Sequence, residues 1–175
     1  MHRFQMWRVV GVLAAASALA ATTASAAPGN TQVDGIQTTV TLGNPDVATD
    51  DVFWMDGNGG GTPGLIGYWY TRSIVYGVFT PSGVLTATGT EEFDGCLDAN
   101  GDRACGAAEP RGTLQMTFQA TIKLDPLTFL QIQGRCHHPI TGGTGDFEGA
   151  TGMIRFKDDP AAGCSYYTGH IALPS

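Results

Sequence analysis

The strongest pattern in the chain lies in residues 112–125. Leu114, Met116, Phe118, Ala120, Ile122 and Leu124 alternate with Thr113, Gln115, Thr117, Gln119, Thr121 and Lys123. A period of two over this length predicts a strand with one buried face and one wet face. Residues 129–137 repeat it, with Leu130 and Ile132 set against Gln131, Gln133 and Arg135. Leu114, Met116, Phe118, Ile122, Leu130 and Ile132 are therefore expected to point inward. Shorter alternating runs predict strands at 36–42, 65–71, 73–80, 84–91, 152–158 and 165–173, with a brief one at 52–55.

Tight turns separate these runs. Pro81-Ser82-Gly83, Asp125-Pro126-Leu127 and residues 158–163 carry the turn formers. No stretch after the N-terminal segment has helical periodicity. Sequential hairpins of about eight strands predict an all-β fold, an eight-stranded antiparallel up-and-down β-barrel. Residues 56–64 read as a glycine-rich loop, and 94–110 as a longer polar insertion.

The N-terminus changes the picture. Two arginines precede an apolar run at 9–21, and Ala24-Ser25-Ala26 follows. Charged start, apolar centre and small-x-small end predict a cleaved signal peptide at 1–26. The run is too short for a membrane helix, which needs ~20 residues. The expected product is a secreted single domain, 27–175. Without Arg3 and Arg8 it keeps seven Lys+Arg against sixteen Asp+Glu, a formal charge of −9. That balance argues against nucleic acid as a partner, and nothing else predicts a membrane association.

All four cysteines fall in the exported part, which predicts disulfides. Cys96 and Cys105 bracket the polar insertion and are expected to pair, leaving Cys136 with Cys164 by elimination. The meander conflicts with the second pair, because it sets Cys136 at the insertion's end of the barrel and Cys164 at the other. Either the strand boundaries shift near Pro139 or Cys136 pairs into the insertion.

Several residues are candidates for chemistry. Asp98, Asn100 and Asp102 have the alternate spacing of the first ligands of a calcium loop. Glu109 is twelfth from Asp98, but Arg103 replaces the usual glycine and Pro110 follows directly. The competing reading is a solvated Asn-Gly turn. In Arg135-Cys-His-His-Pro139 the two histidines should face opposite sides of a strand, which disfavours one shared metal and leaves proton transfer or a structural role. Glu91-Glu92 and Asp158-Asp159 read as surface charge. Tyr68, Tyr70 and Tyr76, with Met116 and Phe118, could line a ligand cavity or fill the core. No cofactor motif is identified, and no phosphate loop follows the glycines at 142–145.

The stretch Thr141-Gly-Gly-Thr-Gly-Asp-Phe-Glu-Gly-Ala-Thr-Gly152 resembles the signature turn and strand of the allene oxide cyclase and dirigent protein superfamily, in its small exported bacterial members. The Tyr167-Thr-Gly-His-Ile-Ala-Leu173 run resembles that superfamily's closing strand. The resemblance implies a barrel of lipocalin-like shape with an apolar lumen, often in a homo-oligomer. It also implies a function of holding a small apolar molecule and directing its cyclisation or coupling. The matched residues are structural, so no catalytic residue carries over. The alternative is a non-enzymatic exported protein with a filled barrel that acts through its surface.

Overall fold

The computed structural model describes residues 29–43 and 51–174. The expected signal peptide lies outside the described residues. Eight strands follow in order: β1 (Asn30–Thr41), β2 (Val52–Gly57), β3 (Gly64–Phe79), β4 (Val84–Asp98), β5 (Arg111–Leu124), β6 (Gln131–Gly143), β7 (Thr151–Asp159) and β8 (Cys164–Ala172). Each pairs antiparallel with its successor, and β8 returns to β1 to close the barrel. The expected up-and-down barrel is the fold.

Two expected strands, 65–71 and 73–80, are one. The β3–β4 register slips at Arg72, a bulge that adds one residue on β3. Before it Trp69 and Thr71 are inside; after it Ile74 and Tyr76 face the lumen, while Val75 is exposed. A second slip corrects the prediction for β6. Lys123 pairs with Gln133 and Leu124 with Gln131, so Ile132 has no partner on β5. Gln131 turns inward at this bulge, and Leu130 and Ile132 lie outside, 70% and 53% exposed. Leu114, Met116, Phe118 and Ile122 face inward as expected.

β6 also runs through Pro139 to Gly143. Cys136 is therefore mid-strand, opposite Ala120 and Phe156, and not at the insertion's end. Cys164 opens β8 opposite Asp159. Three rows of β7 separate the two levels, about 10 Å at strand rise and beyond disulfide reach. Cys96 and Cys105 form the expected bridge, whereas Cys136 and Cys164 are free thiols. The expected second disulfide is corrected accordingly.

The two ends of the barrel differ. One half is filled by Met55, Trp69, Phe93, Leu114, Met116 and Tyr167, with Phe147 closing it from below. Phe147 belongs to a one-turn 3-10 segment, Gly145–Phe147, and its ring lies 6.5 Å from that of Phe93. The glycine-rich stretch therefore forms a tight plug with an aromatic anchor. Gly35 permits the closest approach here. A Cβ there would meet the Asp56 carbonyl and the Tyr167 hydroxyl. That hydroxyl accepts from the Leu65 N–H at 2.8 Å, binding β8 to β3 across the lumen. Among the described residues no helix is long and apolar enough to cross a membrane.

Candidate functional site

The opposite half of the lumen is open. A cavity of about 450 Å³ reaches from the mid-barrel to the β7–β8 turn, at the end of the barrel that also carries the β3–β4 and β5–β6 turns. Small inward residues create it: Ala87 on β4, Ala120 on β5 and Cys136 on β6 stand where the packed half has Trp69 and Phe93. Phe53, Ile74, Tyr76, Phe118, Ile122 and Phe156 supply apolar wall. Gln37, Gln131 and Asp158 supply polar wall, and Gln131 Nε2 donates to Asp158 Oδ2 at 2.5 Å.

A polar cluster forms the floor. Strand alternation puts Glu91 on the inner face of β4, two residues from buried Phe93, and puts His138 on the inner face of β6, two residues from Cys136. Glu91 Oε2 meets His138 Nε2 at 2.7 Å. The Trp69 indole N–H donates to the same oxygen at 2.7 Å, and the Thr71 hydroxyl donates to Oε1 at 3.1 Å. The Glu91 and His138 side chains are only 11% and 4% exposed. His138 Nε2 also lies 3.2 Å from Cys136 Sγ, and its Nδ1 is buried with no partner among the described residues. Aromatic rings enclose the imidazole: Trp69 and Phe156 stand edge-on at 5.2 and 4.9 Å, and Phe118 lies tilted at 5.9 Å.

Burial, with Glu91 and Asp158 nearby, pushes the Cys136 thiol far above its ordinary range. It is held neutral and is no nucleophile at neutral pH. The chemistry available at the floor is proton exchange. One proton can pass between Glu91 and His138 across 2.7 Å, so the pair can donate to or accept from a group resting on it.

The sequence-predicted ligand residues divide. Phe118 and Tyr76 line the cavity. Met116 is 1% exposed and packed in the filled half, below the cavity. Tyr68 and Tyr70 alternate with inward Trp69 and Thr71 and so lie on the outer wall. Tyr68 packs edge-on against Trp54 there, and the Arg72 guanidinium covers Tyr70 at 4.5 Å. Those three assignments to the cavity are corrected. Glu91, read as surface charge, is the residue that sequence reasoning missed. Its signal was present: Leu85, Ala87, Gly89, Glu91 and Phe93 form one alternating row, and a carboxylate in an apolar row is out of place. Of the two histidines, alternation turns His138 inward and leaves His137 exposed. Asp98, Asn100 and Asp102 lie at the far end, where β4 leaves the barrel. No protein family, curated protein or solved structure matches the chain.

Proposed function

We propose that this is an exported barrel that binds a small apolar molecule in the open half of its lumen and directs its cyclisation or coupling over the Glu91–His138 pair. The observation that carries the reading is the floor itself. A carboxylate and an imidazole in hydrogen-bond contact, ringed by aromatic side chains, form the base of a cavity large enough for a ligand. A buried ionisable pair is a poor device for stability, since desolvation offsets its attraction. Placed in a cavity it is a candidate for proton transfer. The walls would restrain a flexible apolar chain in one conformation, lowering the entropic part of the barrier. The pair would then supply or remove a proton at one position. Kinship with the allene oxide cyclase and dirigent superfamily belongs to the same proposal, on the residues at 141–152 that resemble it.

The mouth supports an apolar ligand too. Val40, Leu42, Val78, Phe79, Leu127 and Phe129 are exposed around it. The Phe79 and Phe129 rings meet at 5.8 Å across neighbouring turns. An entering apolar molecule would pass over this rim before reaching polar wall.

A thermal-shift screen with apolar, polyene-like and phenolic compounds tests the reading. A binder at a hundredfold excess over its dissociation constant stabilises the fold by about 2.7 kcal/mol. Tyr76→Ala at the wall should weaken the shift while the protein stays folded, and Glu91→Gln should abolish conversion of a bound compound while binding persists. A screen in which no compound shifts the transition, or one whose shifts ignore Tyr76→Ala, would remove the lumen as a binding site.

A further inference from the structure

We propose that the loop joining β4 to β5 is a calcium site, built by Asp98, Asp102 and Glu109 at the closed end of the barrel. One carboxylate oxygen from each of the three lies within 4.8 Å of the other two. Oxygens on opposite sides of a calcium ion stand about 5 Å apart, twice the usual bond of 2.3–2.6 Å. A single ion can therefore touch all three.

An acidic cluster alone is no site, and the decisive feature is Glu109. Its side chain belongs to a residue only 9% exposed, and its Oε1 is buried with no hydrogen-bond partner among the described residues. Its other oxygen accepts from the Gly106 N–H at 2.8 Å. A buried carboxylate oxygen left unpartnered is costly unless a cation satisfies it. Among the described residues none of the three carboxylates forms a salt bridge. The nearby arginines are committed elsewhere: Arg103 pairs with Asp56, and Arg111 donates to the carbonyls of Cys105 and Gly106.

The spacing agrees. Counted from Asp98, Asn100 is third, Asp102 fifth and Glu109 twelfth. These are side-chain ligand positions of a twelve-residue calcium loop. Asn100 Oδ1 accepts from the Asp102 N–H at 2.9 Å, which folds the loop between the two aspartates. The sequence objection was Arg103 in the sixth position, where the chain must turn sharply and glycine is usual. Arg103 takes that turn, with φ of 63°, and its guanidinium is anchored on Asp56. The missing flanking helices are replaced by β4 and β5, which are tied at the loop's base by the Leu97 N–H donating to the Pro110 carbonyl at 3.0 Å. The Cys96–Cys105 bridge closes the first part of the loop. An all-oxygen ligand set of three carboxylates points to calcium, and the export proposed above sets the expected affinity in the range of extracellular modules, roughly 0.1–1 mM.

The test uses the oxidised full barrel, stripped with a chelator and desalted, then titrated with calcium chloride in a calorimeter. Magnesium chloride is the control ion. One calcium per chain should bind, magnesium at least tenfold more weakly, and the melting temperature should rise with calcium concentration. Asp102→Asn, at an exposed position, should weaken calcium at least tenfold and leave the chelator-treated melting temperature unchanged or raised. Glu109→Gln should weaken it as much. No saturable heat and no melting shift up to about 10 mM calcium, tenfold above the weak end of that range, would overturn the proposal. So would wild-type affinity in both variants.

Discussion

At the scale of single residues, the floor of the lumen rests on a pair whose members depend on one another. Glu91 has three donors, and removing His138 leaves a buried carboxylate with two. His138→Phe should cost about 3 kcal/mol or more in denaturant unfolding. Glu91→Gln keeps an acceptor for the Trp69 indole but sets an amide against the imidazole. The double substitution should cost less than the sum of the singles, with a coupling of about 1–3 kcal/mol. Additive costs would show that the two side chains do not interact. Cys136, one strand step from His138, gives a pH signature. Its thiol is raised in the folded state by burial and by neighbouring carboxylates, whereas the unfolded thiol ionises near its ordinary value of about 8.5. Above that pH the folded state holds more protons than the unfolded state, so stability falls as pH rises, by at most about 1.4 kcal/mol per pH unit for this group. Below pH 8.5 the contribution is intact. Iodoacetamide at pH 8 should therefore label Cys136 far more slowly than an unperturbed thiol, because the reagent can enter the lumen but meets a neutral thiol there, and Cys136→Ser should flatten the alkaline limb between pH 8.5 and the next ionisation. Labelling of Cys136 in the native protein as fast as that of a free thiol would contradict the raised thiol assigned to it.

At the scale of elements, strand alternation decides what reaches the lumen, and bulges decide where alternation changes side. A one-residue slip moves every later side chain to the other face. The bulge at Arg72 carries Ile74 and Tyr76 inward, and the one at Ile132 carries Leu130 and Ile132 outward. Deleting Arg72 should close the ladder without the bulge: Ser73 then follows Thr71 opposite Thr90, so Ile74 and Tyr76 keep the lumen face and a ligand response that needs Tyr76 persists. Loss of that response on deletion would show that Arg72 is not the residue that takes up the slip. These slips explain how far the sequence could be read. In the uninterrupted β5, Leu114, Met116, Phe118 and Ile122 were placed correctly from periodicity alone. In β3 and β6 the same rule failed on the near side of each bulge, at Tyr68 and Tyr70 before Arg72 and at Leu130 and Ile132 where β6 begins, because an inserted residue leaves no mark on the local polar–apolar pattern. Strand ends were also misjudged where β4 continues beyond Glu91 and β6 crosses Pro139. That truncation concealed Glu91, whose inward partner Phe93 fell outside the expected strand, and it displaced Cys136 toward the wrong end. The calcium-like spacing was legible, but the unpartnered oxygen of Glu109 needed coordinates.

At the scale of the whole molecule, the barrel is divided between support and cavity, and the division follows side-chain volume. Trp69, Phe93, Phe147 and Tyr167 fill one half, while Ala87, Ala120 and Cys136 leave the other open. No single strand shows this, since every strand contributes to both halves. Volume has to be summed around the closed sheet, which is why the open lumen could not be read from the chain. The asymmetry predicts unequal effects of the same substitution. Phe93 is fully buried among large neighbours, including Trp69 at 6.4 Å and Phe147 at 6.5 Å. Phe93→Ala should cost about 3–5 kcal/mol, the range for an aromatic removed from a packed interior. Phe118 is equally shielded from bulk solvent, at 4% exposure, but it borders the cavity and so lacks packing on one side. It loses fewer contacts on truncation, and Phe118→Ala should cost measurably less than Phe93→Ala. It should also enlarge the cavity beside His138, shifting the preference of the lumen toward bulkier compounds in the thermal-shift screen. Equal costs at the two sites would show that the mouth half is as tightly packed as the plug, and the lumen would then have no room for a ligand.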